Sequence, residues 1–188
     1  MKYYKGYYYH IYNRGNNRQN ICIQDHDYIR LLELFTKNKD NYSVSFIAFC
    51  LMPNHYHLIL RQDGEYPISS FIKTTFQSYV QSFNHRNKRT GKLFEGKAQG
   101  KLIDETEYLL HLCRYVHLNP VEAGFVQKAD DWKYSNYLEF IGKRNEVLFD
   151  SEFMDTYAYE MDNYREFVVE YDTLRKENKE IEKYLFNE

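Results

Sequence analysis

The sequence predicts an α+β fold, in which a ferredoxin-like (RRM-like) antiparallel sheet carries helices on one face and a helical extension follows at the C-terminus. Strand-like apolar runs and segments of helical periodicity follow one another in the order β-α-β-β-α-β-α up to residue 120. The first six of these elements have the split βαβ order of ferredoxin-like folds, which makes the third strand internal to the sheet. The 188 residues, of which 43% are hydrophobic, suffice for one such domain with an appendage.

The first half of the chain supplies three strands and one helix. A run over 7–13 that is rich in Tyr and Ile predicts the first strand, and apolar residues on one face predict a helix over 25–39. Two further runs, 43–51 and 55–61, are separated by a Pro-Asn pair, which is typical of a turn. These two runs are therefore expected to form a β-hairpin.

The next segment supplies two helices and a short strand between them. Apolar residues at three- and four-residue spacing predict a long amphipathic helix over 68–83, and a strand is expected between residues 93 and 103. Asp104 is expected to cap a second helix over 105–119. Pro120 predicts the end of that helix, because the residue before a proline is disfavoured in helical geometry.

Charge divides the chain into two predicted regions, a domain over 1–143 and an acidic helical extension over 144–188. The extension carries 13 acidic and 6 basic side chains, whereas residues 1–143 carry 14 acidic and 19 basic ones. A helix is expected over 164–185. The basic body permits nucleic-acid binding, while the acidic extension by itself is typical of a solvated helix surface.

The composition favours a cytoplasmic protein with reduced thiols. No run approaches the ~18 apolar residues that a membrane span needs, and residues 1–6 lack the apolar core of a signal peptide. Cys22, Cys50 and Cys113 are few, odd in number and widely spaced. They therefore favour neither a disulfide framework nor a zinc site built from cysteines.

Two histidines lie one residue apart inside the third predicted strand. Because successive side chains of a strand point to opposite faces, His55 and His57 share a face. Two adjacent imidazoles on a rigid strand can hold two corners of a metal site. A His-x-His pair alone is a weak signal, since it is more often two hydrogen-bonded or partly exposed sheet histidines than a metal site.

The helix after the last strand offers partners for this pair. Tyr115 and Asn119 lie one turn apart on the same helix face, so a phenol and an amide oxygen are presented together. Tyr108 precedes Tyr115 by seven residues, and spacing alone favours ordinary helix packing of the stripe Tyr108, Leu112, Tyr115 over a catalytic role. His111, one turn before Tyr115, is an alternative third ligand.

Four motifs occur along the chain in a fixed order: MPNHYH (52–57), Asn84 followed by GKLFEGK (91–97), RYVHLNPVEAG (114–124) and DWKYSNY (131–137). Together they resemble the single-tyrosine transposases of the HUH class, and within that class the REP-associated tyrosine transposases. The resemblance covers about residues 6–142. An ordered set of four motifs is far more specific than any one of them.

The resemblance implies an enzyme that cuts and rejoins single-stranded DNA through a covalent 5′-phosphotyrosine intermediate. It assigns Tyr115 as the nucleophile, His55 and His57 as metal ligands, and Asn119 as the third ligand, where relatives often have Gln. Mg²⁺ and Mn²⁺ are both suited to such a mixed set of nitrogen and oxygen ligands.

Seven basic side chains are expected to hold the DNA backbone, with aromatic rings nearby for stacking. They are Arg14, Arg86, Lys88, Arg89, Lys92, Lys97 and Lys101. The resemblance implies a single-stranded partner that forms hairpins at a repeated element. It leaves open whether one chain supplies the whole site or a homodimer shares its catalytic helices.

Two other functions compete with strand transfer. The first is a non-catalytic DNA-binding regulator derived from such an enzyme, and the intact His55, His57 and Tyr115 argue against it. The second is a ferredoxin-like RNA-binding module. That module would carry exposed aromatic residues on the middle strands, where this chain has histidines.

Overall fold

An antiparallel sheet of four strands forms the centre of the computed structural model, which describes residues 2–145, 148–157 and 163–169. The strands are β1 (Tyr8–Arg14), β2 (Val44–Leu51), β3 (His55–Gln62) and β4 (Gln99–Ile103). They are arranged in the order β2-β3-β1-β4, so β3 is internal, as predicted.

Helices pack on this sheet and follow it at the C-terminus. They are α1 (Asp25–Lys39), α2 (Ile68–Arg86), α3 (Thr106–Glu122), α4 (Tyr137–Phe140), α5 (Ser151–Thr156) and α6 (Tyr164–Val169). The order through α3 is the predicted β-α-β-β-α-β-α, α1 has the predicted bounds, and β1, β2 and β3 deviate by at most one residue at each end.

One face of the sheet packs on α1 and α2 through a layer of aromatic and aliphatic side chains. Tyr56 and Leu58 of β3 are buried in this layer, together with Phe35 of α1 and Phe76 of α2. The Tyr56 ring stacks on the Phe76 ring with centroids 4.3 Å apart. Their burial supplies the main hydrophobic stabilisation of the ferredoxin-like unit, and the predicted fold class is confirmed.

The opposite face of the sheet is covered in part by α3. Ile47, Ala48 and Ile59 of the sheet form a second buried cluster with Leu112 and Val116 of α3. The ferredoxin-like core thus carries its own two helices on one face, as predicted, and α3 packs on the face that the core leaves open.

Both predicted boundary signals of α3 differ from the structure. The N-cap residue is Glu105 rather than Asp104, and the helix runs two residues past Pro120 to Glu122. Pro120 lacks an N–H, yet the Ala123 N–H donates to the Asn119 carbonyl oxygen at 2.9 Å. A hydrogen bond thus spans the proline and closes the last turn. This limits the loss of helix stability that the missing N–H of Pro120 causes.

Part of the predicted extension packs back on the domain. Asp150 caps α5 by accepting a hydrogen bond from the Phe153 N–H at 2.7 Å, and it pairs with Arg61 of β3 at 3.0 Å. Of the helix predicted over 164–185, α6 is described and the rest lies outside the described residues. Within the described ranges, no helix is long and apolar enough to cross a membrane.

Candidate active site

Strand β3 places both predicted metal-binding histidines on the sheet face that α3 covers. In the β1–β3 register, His57 lies opposite Tyr12 and His55 lies opposite Arg14. The two imidazole rings have centroids 5.0 Å apart and are almost perpendicular, at 83°. His57 is fully buried and His55 is 6% exposed. The strand therefore presents two imidazoles as neighbours in a site that is largely shielded from bulk water.

Helix α3 brings Tyr115 and Asn119 to this pair. The Asn119 Oδ1 atom lies 2.9 Å from His55 Nε2, and the Tyr115 and His57 rings have centroids 5.5 Å apart. Both helix residues are buried. The structure thus brings together all four residues that the sequence nominated for metal binding and nucleophilic attack.

The alternative third ligand, His111, contacts Arg114 of α3 and Phe167 of α6. Its Nδ1 atom lies 2.8 Å from an Arg114 nitrogen, and its ring lies against Phe167 of α6. Among the described residues, no three His, Cys, Asp or Glu side chains are grouped so that they could hold a metal ion. The α3 side chain that contacts the His55–His57 pair through an oxygen is the Asn119 amide.

The surroundings of His55 fit a bound cation. Its Nδ1 atom lies 2.7 Å from Asn54 Oδ1, and its Nε2 atom lies 2.9 Å from Asn119 Oδ1. A neutral imidazole has one N–H, so it can donate to only one of these two oxygens. With His55 neutral, the nitrogen and the oxygen of the other contact both present lone pairs, as two ligands of one cation would. Adjacent ligands of an octahedral ion are about 3 Å apart, given metal–oxygen distances of about 2.1 Å. The separation of 2.9 Å between His55 Nε2 and Asn119 Oδ1 matches this spacing.

The electrostatics of His57 also fit a metal ligand. Burial is the main cause that holds its pKa well below the usual value for histidine, and the neighbouring His55 and His10 add to this effect. His57 is therefore neutral near neutral pH. A neutral imidazole is the form that binds metal ions.

The residue that the sequence reasoning missed is His10 of β1. It is fully buried, and its Nε2 atom lies 3.0 Å from His57 Nδ1. Alternation along the predicted first strand could have placed His10 on one face together with Tyr12. Its proximity to His57 depends on the register between two strands 47 residues apart, and local periodicity does not encode that register.

Comparisons with known proteins place the chain in a family. A model of the family described as "Transposase IS200 like" matches residues 3–117, which is more than half of the chain. The chain belongs to the IS200-like transposase family. This membership confirms the resemblance that the four motifs indicated.

Relatives within this transposase family carry the REP-associated name. A Haemophilus influenzae protein assigned as a REP-associated tyrosine transposase is 28% identical over 134 residues, covering 62% of this chain and 76% of its own length. The REP-associated tyrosine transposase of Escherichia coli K12 is 22% identical over 126 residues, which cover 66% and 72% of the two chains.

A solved structure shares the fold of this transposase-family chain. It is a REP-associated tyrosine transposase bound to a REP hairpin, with a TM-score of 0.62 and 20% sequence identity. The match covers 80% of this chain and 92% of that one. The common fold includes the sheet and the helices that pack on it.

Two of the predicted DNA-binding residues of this transposase-family chain lie on the site face of the sheet. Arg14, opposite His55, forms an ion pair with Glu95. Lys101 of β4 lies opposite His10, and its Nζ is 5.7 Å from the centre of the Tyr12 ring. Burial lowers the pKa of Lys101. Both side chains thus lie on the sheet face that carries the histidines, Arg14 beside His55 and Lys101 beside His10.

Arg86 and Arg89, two further predicted DNA-binding residues, are engaged at the end of α2. Arg86 donates to the buried carboxylate of Asp27 at 2.6 Å. Arg89 donates to Gln19 at 3.2 Å and lies over the Phe83 ring. Both arginines help to fix α2 against neighbouring segments.

Three predicted DNA-binding lysines, Lys88, Lys92 and Lys97, are exposed in the segment between α2 and β4. This segment is anchored beside the end of β1, since the Glu95 N–H donates to the Arg14 carbonyl oxygen at 3.1 Å. The exposed lysines are therefore carried on a segment that is tied to the strand beside the histidines.

Proposed function

We propose that the chain is a metal-dependent strand transferase, which cuts and rejoins single-stranded DNA through a covalent 5′-phosphotyrosine at Tyr115. The observation that carries the proposal is the meeting of a phenol with two imidazoles and an amide. Tyr115 packs against the His57 ring, while Asn119, one turn along α3, contacts His55. One strand and one helix thus bring the phenol next to the side chains to which we assign the metal, and this arrangement supports the proposal.

His55, His57 and Asn119 would hold the divalent ion, Mg²⁺ or Mn²⁺. When bound, this ion polarises the scissile phosphate and neutralises negative charge that develops on its oxygens. Two imidazoles and one amide oxygen leave coordination positions open, as a catalytic site requires. The rigid pairing of β3 with β1 and β2 keeps the two imidazoles in place.

Tyr115 performs the covalent step. Its phenol oxygen loses a proton and attacks the phosphorus, so that the tyrosine becomes linked to the 5′ phosphate. The bond from phosphorus to the 3′ oxygen breaks, and that oxygen takes up a proton and leaves as a 3′ hydroxyl. Attack of a 3′ hydroxyl on the phosphotyrosine reverses these steps. Rejoining needs no ATP, because the covalent intermediate conserves the bond energy.

The DNA partner we propose is a single strand with a hairpin from a repeated element. The solved relative is bound to a REP hairpin, which supports this choice. The three exposed lysines between α2 and β4 provide a basic surface near the site, as backbone binding requires. All four site residues come from one chain, which supports a site that is complete without a second subunit.

The test is a search for the covalent adduct. The protein is incubated with hairpin-bearing single-stranded DNA and Mn²⁺, and adducts are separated on a denaturing gel. We expect an adduct with the native chain and none with Tyr115→Phe. Tyr108→Phe is the matched control, because Tyr108 is also a buried tyrosine of α3. It should retain the adduct.

The outcomes separate the competing functions. An unchanged adduct in Tyr115→Phe would disprove the nucleophile assignment. DNA binding by the native chain without any adduct would favour the non-catalytic regulator. A mixture of Tyr115→Phe and His57→Ala chains should remain inactive, whereas restored cleavage would show that two chains share a site.

A further inference from the structure

His10 occupies the centre of β1 and points into the layer between the sheet and α3. It lies opposite Ile59 of β3 on one side and Lys101 of β4 on the other. Its ring stacks on the His57 ring, with centroids 5.2 Å apart and an interplanar angle of 24°. Tyr12 packs against it with centroids 5.0 Å apart. Strand pairing on both sides and two ring contacts hold this imidazole in place.

The contact between His10 Nε2 and His57 Nδ1, at 3.0 Å, can hold one proton. Each neutral imidazole has one N–H and one lone pair, so one nitrogen of the contact must donate and the other must accept. If His57 donates through Nδ1, its Nε2 atom keeps a lone pair. If His57 accepts instead, its Nε2 atom carries the hydrogen and cannot bind a cation.

We propose that His10 is a positioning residue, which accepts a hydrogen bond from His57 Nδ1–H and thereby directs the lone pair of His57 Nε2 toward the divalent ion. The part that concerns the ion rests on the proposed function. The hydrogen bond and the tautomer do not depend on it, and they can be measured in the metal-free protein.

The environment of His10 suits this role. Metal-binding histidines commonly donate their second nitrogen to a nearby acceptor, which fixes both the tautomer and the ring orientation. His10 is fully buried on a strand that pairs with both of its neighbours, so the acceptor moves little. An acceptor on a rigid strand positions a ligand more accurately than one on a loop.

His117, another buried histidine, has a different set of partners. His117 of α3 places Nδ1 2.7 Å from the Tyr164 hydroxyl and Nε2 2.9 Å from Asn136 Oδ1. Both of its ring nitrogens are thus engaged by residues that follow α3, and they connect elements of the fold. His57 instead places Nδ1 against another imidazole, next to the Tyr115 ring.

Two substitutions of His10 distinguish the effect of its hydrogen-bond acceptor from the effect of the space that its side chain fills. In His10→Gln the side-chain amide can place an oxygen near the position of Nε2, whereas His10→Leu fills space and offers no acceptor. The matched control is Thr75→Val, which removes a buried hydrogen bond from Asn38 on the opposite side of the sheet.

The first measurement is the Mn²⁺ dissociation constant, obtained from the electron paramagnetic resonance signal of free Mn²⁺. Loss of such an outer partner typically weakens metal binding about 10- to 100-fold, and we expect this for His10→Leu. His10→Gln should remain within about threefold of the native chain, and Thr75→Val should be unchanged. Equal affinity of His10→Leu and the native chain would overturn the proposal.

The second measurement is the tautomer of His57 in the metal-free protein, read from the ¹⁵N chemical shifts of its ring. We expect a proton on Nδ1 in the native chain and in His10→Gln, and loss of this preference in His10→Leu. A proton on Nε2 of His57 in the native chain overturns the proposal, even if His10→Leu fails to fold.

The two measurements distinguish failure of this inference from failure of the proposed function. If the native chain and His57→Ala bind Mn²⁺ equally, the proposed metal site is wrong, and the tautomer of His57 still decides the role of His10. If His57→Ala weakens Mn²⁺ binding and His10→Leu does not, the metal site stands and the role of His10 falls.

Discussion

The two faces of β3 use alternate residues of one strand for different purposes. On one face, Tyr56 and Leu58 are buried among the aromatic side chains of α1 and α2. On the other, His57 packs against Tyr115 of α3 and His55 contacts Asn119 of the same helix. Because the side-chain period of a strand is two, neighbouring residues can serve folding and chemistry separately.

The difference shows how each face is held together. The face toward α1 and α2 is stabilised by continuous burial of apolar area. The face toward α3 is apolar around Ile59 and Val116 but polar at the histidines, where less apolar area is buried. Hydrogen bonds that join His117 with Tyr164 and Asn136 on the far side of α3 help to hold the helix there.

Substitutions at two adjacent residues of β3 should give the largest effects, one on the cleavage rate and the other on the free energy of unfolding. His57→Ala removes a proposed metal ligand, and loss of several kcal/mol of charge stabilisation corresponds to a fall in cleavage of about 1,000-fold. Leu58→Ala leaves a cavity on the opposite face and should lower the free energy of unfolding by about 2–5 kcal/mol. Single-turnover cleavage and urea unfolding measure the two effects.

Each of these variants serves as the control for the other. His57→Ala should still bind the DNA, because His57 is not one of the side chains proposed to contact the DNA backbone. Leu58→Ala, corrected for its folded fraction, should cleave at close to the native rate. Normal cleavage by His57→Ala would show that the histidine face is structural, like the face behind it.

Asn136→Ala should cause the next largest effect, a loss of folding stability, because it removes hydrogen bonds to the backbone of edge strand β2. The Asn136 side chain accepts from the Phe49 N–H and donates to the Ile47 carbonyl oxygen, both at 2.8 Å. Ile47 lies at the irregularity in the β2–β3 register. Each buried backbone group left unsatisfied costs about 1–3 kcal/mol, so urea unfolding should show a loss of about 3 kcal/mol or more.

The matched control for this substitution is Asn87→Ala. Asn87 is exposed at the end of α2, where it donates to the Phe83 carbonyl oxygen at 2.9 Å. Its removal should change the free energy of unfolding by no more than about 0.5 kcal/mol. Similar losses for both variants would mean that Asn136 contributes no special support to the α3 face.

Local periodicity explains which parts of this comparison could be predicted from sequence. Alternation alone placed His55 and His57 on one face, and helical spacing placed Tyr115 with Asn119. No local pattern reports how α3 packs on β3. The expectation that the histidine pair meets Tyr115 and Asn119 therefore came from the family resemblance. His10 was missed for the same reason, since its contact depends on strand register.

Side-chain partners that are distant in sequence were also beyond prediction. Arg86 was assigned to DNA backbone binding from the basic cluster around it, and the structure pairs it with Asp27, 59 residues earlier. Its contact with DNA stays a prediction. The domain boundary at residue 143 also stays a prediction, although Arg61 connects the sheet with Asp150 beyond that boundary.

Cysteine labelling should reveal a smaller difference between the faces. All three cysteines are buried thiols, and burial raises the pKa of the Cys22 thiol to about 12. Burial also raises the pKa of Cys50 and Cys113. Very few Cys22 thiols are therefore ionised at pH 8 in the native state, so alkylation must await local or global opening.

Cys113 of α3 should be alkylated before Cys22, which is buried on the α1–α2 face. α3 follows the ferredoxin-like unit and packs partly through polar groups, so it should open at a lower free energy than α1 and α2. A tenfold ratio of labelling rates corresponds to a difference of about 1.4 kcal/mol in that opening. Mass spectrometry of peptides after timed alkylation measures the order. Equal rates would mean that the two faces open together, and earlier labelling of Cys22 would mean that the polar face is the more stable one.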